Sequence, residues 1–118
     1  MAKHDFGILD KFEENKWYQE YEPEKYHCIS VDMDVIDEVF SAHLEEMKQI
    51  KAFACISTQP ICGLEESGIT LIPPYSLKSF CDVITKANRQ LQSHQLVLLI
   101  DKIKEAIKDD KYLIHFGI

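Results

Sequence analysis

Clustered positive charge is what this chain most clearly lacks. Its 118 residues carry 20 Asp and Glu against 13 Lys and Arg, for a formal net charge of −7. Nucleic-acid binders neutralise phosphates with grouped Lys and Arg, so that class is set aside. Long apolar runs are missing too. The longest is Leu96-Val97-Leu98-Leu99-Ile100, well short of the roughly 20 residues a membrane-spanning helix needs. The opening Met1-Ala2-Lys3-His4-Asp5 lacks the charged-then-apolar pattern of a secretory leader. A cytoplasmic setting with no membrane partner is the expectation. No low-complexity tract or internal repeat stands out.

Several chemical signatures are absent as well. There is no G-x-G-x-x-G, P-loop or H-E-x-x-H motif, and no cofactor is expected. Ser76, which follows Pro73-Pro74, is not the nucleophile elbow of a hydrolase and reads as a helix cap. The four cysteines, Cys28, Cys55, Cys62 and Cys81, form no C-x-x-C pair. The usual zinc and thioredoxin-like patterns are therefore missing, and reduced thiols are expected. Cys28, Cys55 and Cys81 lie inside apolar patterns and read as small buried hydrophobes.

What is present is an uneven distribution of charge. Residues 1–50 hold 13 Asp and Glu and 5 Lys, a balance of −8, whereas residues 51–118 balance at +1. Such a bias bears on partners more than on fold. Part of it has a local cause. Asp32, Asp34, Asp37 and Glu38 cluster where a helix is expected to begin, and acids there cap orphan N–H groups and meet the positive end of the helix dipole. The same oxygens are candidate ligands for a hard cation, but the calcium-loop spacing is missing.

Periodicity predicts one α+β domain over 1–118. Residues 4–9 form an accessory strand, 10–24 a loop closed by Pro23, and 25–118 the core. Within the core, alternation marks 25–31 as a strand, followed by a helix with Ile36, Val39, Phe40, Leu44, Met47 and Ile50 on one face. Strands are expected at 52–57 and 69–72, joined by an eleven-residue connection from Thr58 to Gly68. A helix follows Ser76, and polar Gln90–His94 separates it from a second one over 95–109. Residues 111–117 make the last strand. From residue 25 the order is the βαββαβ of a ferredoxin-like split unit, a two-layer sandwich with its second helix split in two. That arrangement places 25–31 and 69–72 centrally and 52–57 and 111–117 at the edges. The two ends, His4-Asp-Phe-Gly-Ile8 and His115-Phe-Gly-Ile118, look alike, and the added first strand is suited to cover the 111–117 edge.

Three segments, Tyr21-Glu-Pro-Glu-Lys-Tyr-His-Cys-Ile-Ser-Val-Asp32, Ile69-Thr-Leu-Ile-Pro-Pro74 and Ile114-His-Phe-Gly117, resemble an uncharacterised group of short bacterial proteins. The group has no assigned activity, so the resemblance implies no site.

Four constellations are candidates for function. Cys62 sits in a Gly/Pro loop where a thiol can be exposed, with His27, His94 or His115 as the base it would need. The adjacent Glu65 and Glu66 disfavour its thiolate. His43 and Glu46 are spaced to share a metal between helical turns, with Asp32 and Asp34 as further weak metal candidates, but one pair does not close a coordination sphere. Lys102, Lys104, Lys108 and Lys111 are interleaved with acids and read as a solvated face. The fourth is 10–24, with six acids, two lysines and the rings of Phe12, Trp17, Tyr18 and Tyr21. Trp and Tyr are favoured at interface cores. They also serve as covers for a sheet, with their polar tips left wet. A binding patch of Phe12, Glu13, Glu14, Trp17, Tyr18, Glu20, Tyr21 and Glu22 is therefore expected. It would take a basic protein, as an inhibitor or antidote does. A small thiol- or metal-dependent enzyme and a subunit of a homo-oligomer are the alternatives.

Overall fold

The computed structural model describes residues 2–117. Met1 of the leader reading and Ile118 of the terminal likeness lie outside the described residues. Among the described residues there are six strands: β1 (Lys3–Leu9), β2 (Ile29–Asp32), β3 (Lys51–Ala54), β4 (Pro60–Cys62), β5 (Ile69–Ile72) and β6 (Tyr112–Phe116). The helices are α1 (Met33–Ala42), α2 (Leu44–Met47), α3 (Pro74–Leu91) and α4 (His94–Asp109). None of them is long and apolar enough to cross a membrane. The strands form one antiparallel sheet in the order β2-β1-β6-β5-β3-β4.

The α+β class and the covering role of the first strand hold. β1 pairs with β6 from Asp5–Phe116 to Leu9–Tyr112. The strand order departs from the ferredoxin-like expectation. β2 lies at an edge, while β6 lies inside the sheet between β1 and β5. Burial accounts for the exchange. All of β1 but Lys3 is buried, whereas only Val31 of β2 is. A strand hidden on both faces belongs inside a sheet, and a half-covered strand belongs at its rim.

Local differences have local causes. The first half of the expected 25–31 strand is a 3₁₀ turn over Pro23–Tyr26, ended by His27 at φ +51°. Pro23 opens this turn rather than closing the loop, because its fixed φ suits a first helical position. The helix expected to run through Ile50 breaks at His43 and leaves Leu44 exposed. Asp32 holds the N-cap position of α1 without a side-chain cap bond. α3 starts at Pro74, two residues ahead of Ser76, whose hydroxyl instead donates to the Lys51 carbonyl at 2.7 Å. The 58–68 connection contains β4. The helix break falls as expected: Gln92 turns left-handed at φ +50°, and Ser93 Oγ accepts the Leu96 N–H at 3.4 Å to cap α4.

Strand alternation divides the core in two. Phe6, Ile8, Val31, Ile72 and Leu113 face the helices and pack with residues such as Leu77, Phe80, Leu99 and Ile103. Leu9, Ile69, Leu71, Ile114 and Phe116 face the other way. Helices supply the buried cover on the first side only. The second apolar face needs another cover, and residues 10–27, the strap, provide it.

Candidate functional site

The strap is fixed from beneath. Tyr18 is 5% exposed and packs with Ile69, Leu71 and Ile114. Its N–H donates to the Cys55 carbonyl at 2.7 Å, and its hydroxyl accepts the Glu13 N–H at 3.0 Å. Cys55 makes this possible by turning into the left-handed region at φ +64°. Phe12 stacks on Tyr112 with ring centroids 3.8 Å apart. Gly7 lies where the strap approaches the sheet: a Cβ there would stand 2.7 Å from both Cys28 Sγ and Tyr26 Cβ. Only glycine fits so close an approach.

A polar latch completes the attachment. Asp5, 2% exposed, accepts the Tyr21 hydroxyl at 2.8 Å and the Ser30 hydroxyl, and lies 3.9 Å from Lys3 Nζ. These partners offset the cost of hiding a carboxylate. Donation to Asp5 raises the Tyr21 pKa. Burial, with the Asp5 charge adding to it, pushes the Cys28 thiol up to about 12, so this cysteine is an inert thiol at neutral pH.

The binding-patch residues therefore divide. Phe12 and Tyr18 turn inward. Trp17 is 53% and Tyr21 61% exposed, Glu13, Glu14 and Glu20 are exposed, and Glu22 is half-buried. Lys16 pairs with Glu13 at 3.1 Å and Lys25 with Glu22 at 3.6 Å. Trp17, Glu20 and Glu22 border a cleft of about 290 Å³ that reaches down to Ile69 and Ile114.

The other candidates are scattered. Cys62 is exposed on β4, opposite Lys51. The cleft it borders is lined by Lys51, Phe53, Pro60, Ile61 and Tyr75 among others, with no histidine among the described residues. His115 is buried elsewhere, and His27 and His94 are exposed. His43 Nδ1 does meet Glu46 Oε1 at 3.1 Å, but Lys86 Nζ also pairs with that oxygen at 3.3 Å. The His43 bond first, and Lys86 with it, hold the Glu46 carboxyl below its ordinary range. Asp32 and Asp34 belong to the start of α1. Among the described residues no three His, Cys, Asp or Glu side chains converge as metal ligands would.

Sequence reasoning missed a buried polar relay on the helix side of the sheet. His4 and His115, on neighbouring strands β1 and β6, are 3% and 0% exposed. His115 Nε2 lies 2.8 Å from His4 Nδ1, and His115 Nδ1 lies 3.2 Å from Thr70 Oγ1. Thr70 Oγ1 accepts the Glu65 N–H at 2.9 Å. Burial brings the His115 pKa down to about 3, with His4 adding to the shift. Burial also lowers that of His4, against the pull of Asp37, Asp5 and Glu66. Both rings are thus neutral at pH 7, each with one N–H. Among the described residues the Thr70 hydroxyl hydrogen has one acceptor, His115 Nδ1. The arrangement that gives every buried hydrogen of the relay an acceptor has His115 donating from Nε2 to His4 Nδ1 and the His4 proton on Nε2. Two sequence signals pointed here: His4 shares its strand face with Phe6 and Ile8, and the two look-alike ends each begin with histidine.

No protein-family model matches the chain, and comparisons with curated proteins and with solved structures find no match.

Proposed function

We propose that the protein is a small acidic binding module that receives a basic protein partner on the outer side of the strap, as an inhibitor or antidote does. The observation that carries this reading is the half-exposed Trp17 beside the anchored Tyr18. A large ring is displayed among carboxylates on a segment whose neighbouring residue is fixed in the core. Trp is a favoured hot-spot residue. Prior fixation lowers the ordering cost of association, and the acids steer a basic partner toward the ring. A cytoplasmic setting accords with four free thiols. The thiol-enzyme reading has less support, since Cys62 has no histidine in its cleft. Edge-paired homo-oligomers also have less support. Edge strand β4 begins with Pro60, which has no N–H, and the Asp32 N–H of edge strand β2 already donates to Gln95 Oε1 at 2.8 Å.

Trp17 is the single tryptophan, so its emission reports on the strap directly. Titration with an arginine-rich peptide is expected to shift that emission saturably, with affinity falling as salt rises. By calorimetry, Trp17→Ala is expected to weaken binding about tenfold or more, equal to about 1.4 kcal/mol, with the melting temperature preserved. Equal weakening by a control variant remote from the strap, Asp109→Asn with Asp110→Asn, overturns the proposal.

A further inference from the structure

The His4 relay ends at a cleft. His4, Ile36, Asp37, Phe40, Leu64, Glu65 and Glu66 line a space of about 290 Å³ between β1, α1 and the turn before β5. That volume is near the lower bound of small-ligand sites. No described residue bonds His4 Nε2. Among the described residues, however, no fully enclosed side-chain nitrogen or oxygen lacks a partner. Nε2 is therefore open to the cleft that its ring lines. The tautomer derived above gives this atom a hydrogen to donate, held in place by a relay anchored on the Glu65 N–H. Asp37 and Glu66 are close enough to act on the His4 charge, and with Glu65 they make the cleft acidic. Ile36, Phe40 and Leu64 supply its apolar wall. The cleft thus combines one directed donor, three acidic residues and an apolar surface.

We propose that this cleft binds the amino-terminal residue of a peptide with an aliphatic first side chain. The ammonium group lies against Asp37 and Glu66, and the first carbonyl oxygen accepts from His4 Nε2. The side chain rests on Ile36, Phe40 and Leu64. Charge-assisted hydrogen bonds of this kind are the stronger ones. A free amino acid would bring its own carboxylate toward Glu66 and is repelled. A metal ion would need the Nε2 lone pair, which the relay fills with a proton. The cleft lies on the helix side of the sheet, so this inference does not depend on the strap reading.

The test is a long-range proton–nitrogen NMR titration of the full chain, carrying ¹⁵N-histidine, with leucyl-alaninamide as the probe. Before any addition, the His4 proton is expected on Nε2. The Nε2 signal is then expected to move saturably. Acetylating the probe's amine, or substituting the exposed Asp37→Asn, is expected to weaken binding about tenfold or more, the scale of a lost charge-assisted bond. Free leucine is expected to bind more weakly than the probe, and Trp17→Ala to leave probe affinity unchanged. A His4 proton on Nδ1, no saturable movement, or equal affinity for the acetylated probe overturns the proposal.

Discussion

Gly7 and Tyr18 set how close the strap comes to the sheet. A methyl group at Gly7 would have to displace Tyr26 backbone as well as side-chain atoms, since the Tyr26 carbonyl oxygen lies 2.8 Å from the Cβ position. Gly7→Ala is expected to cost about 1–3 kcal/mol, the range for overpacking, seen as a lower denaturation midpoint. Tyr18→Ala removes a buried ring and is expected to cost about 3–5 kcal/mol. Trp17→Ala, one residue away but facing solvent, is expected to stay within about 0.5 kcal/mol. Denaturant melts of the two variants check the contrast. The histidine pair makes a prediction of a different kind. Burial holds the His115 pKa at about 3, whereas the unfolded side chain titrates near about 6.5. Between those values the unfolded chain binds a proton that the folded chain refuses. Stability is therefore full above about pH 6.5 and falls as pH drops toward His115's folded value, by at most about 1.4 kcal/mol per pH unit for this group. The lowered pKa of His4 acts in the same direction. His115→Gln is expected to be less stable at neutral pH but to show a flatter acid limb. An unchanged limb in that variant would contradict the assignment.

At the scale of elements, legibility followed periodicity. α4 was readable because Leu96, Leu99, Ile103 and Ala106 recur at helical spacing and are buried. The Ser93 cap makes its start an element-level test. Ser93→Ala is expected to cost about 1 kcal/mol, measured as a shift in the melting temperature. β5 was readable from Ile69-Thr-Leu-Ile72 ended by Pro73. β2 starts later than its alternation predicts, because Tyr26 and Cys28 pack into the cluster beneath the strap. Both crowd Gly7, and the pairing with β1 stops at Ile29. The strap itself has no period. Its rings told of burial or binding without saying which ring did which. That division depends on Cys55 turning left-handed to offer its carbonyl to Tyr18, a long-range event without a local signature. The strand order was hidden for a similar reason. Whether β1 or β2 lies inside depends on which has cover on both faces, and the cover comes from distant segments.

For the whole molecule, the acidic first half has separate local explanations. Asp5 is a latch, Asp34 sits in the first turn of α1, Asp37 faces the His4 cleft, and Glu46 pairs with His43 and Lys86. The acids that remain exposed and without an ion pair on the strap, among the described residues, are Glu14, Glu20 and Glu24. The sheet is covered twice, by helices on one face and by an irregular segment on the other, and the second cover doubles as the proposed docking surface. That account requires the strap to be as ordered as the strands beneath it. Native-state hydrogen exchange of the Tyr18 amide, which donates to the Cys55 carbonyl at 2.7 Å, measures this directly. The account predicts protection of that amide within about tenfold, or about 1.4 kcal/mol, of the Leu71 and Ile114 amides in β5 and β6. Exchange of Tyr18 at the rate of an unfolded peptide, while Leu71 and Ile114 stay protected, would contradict it.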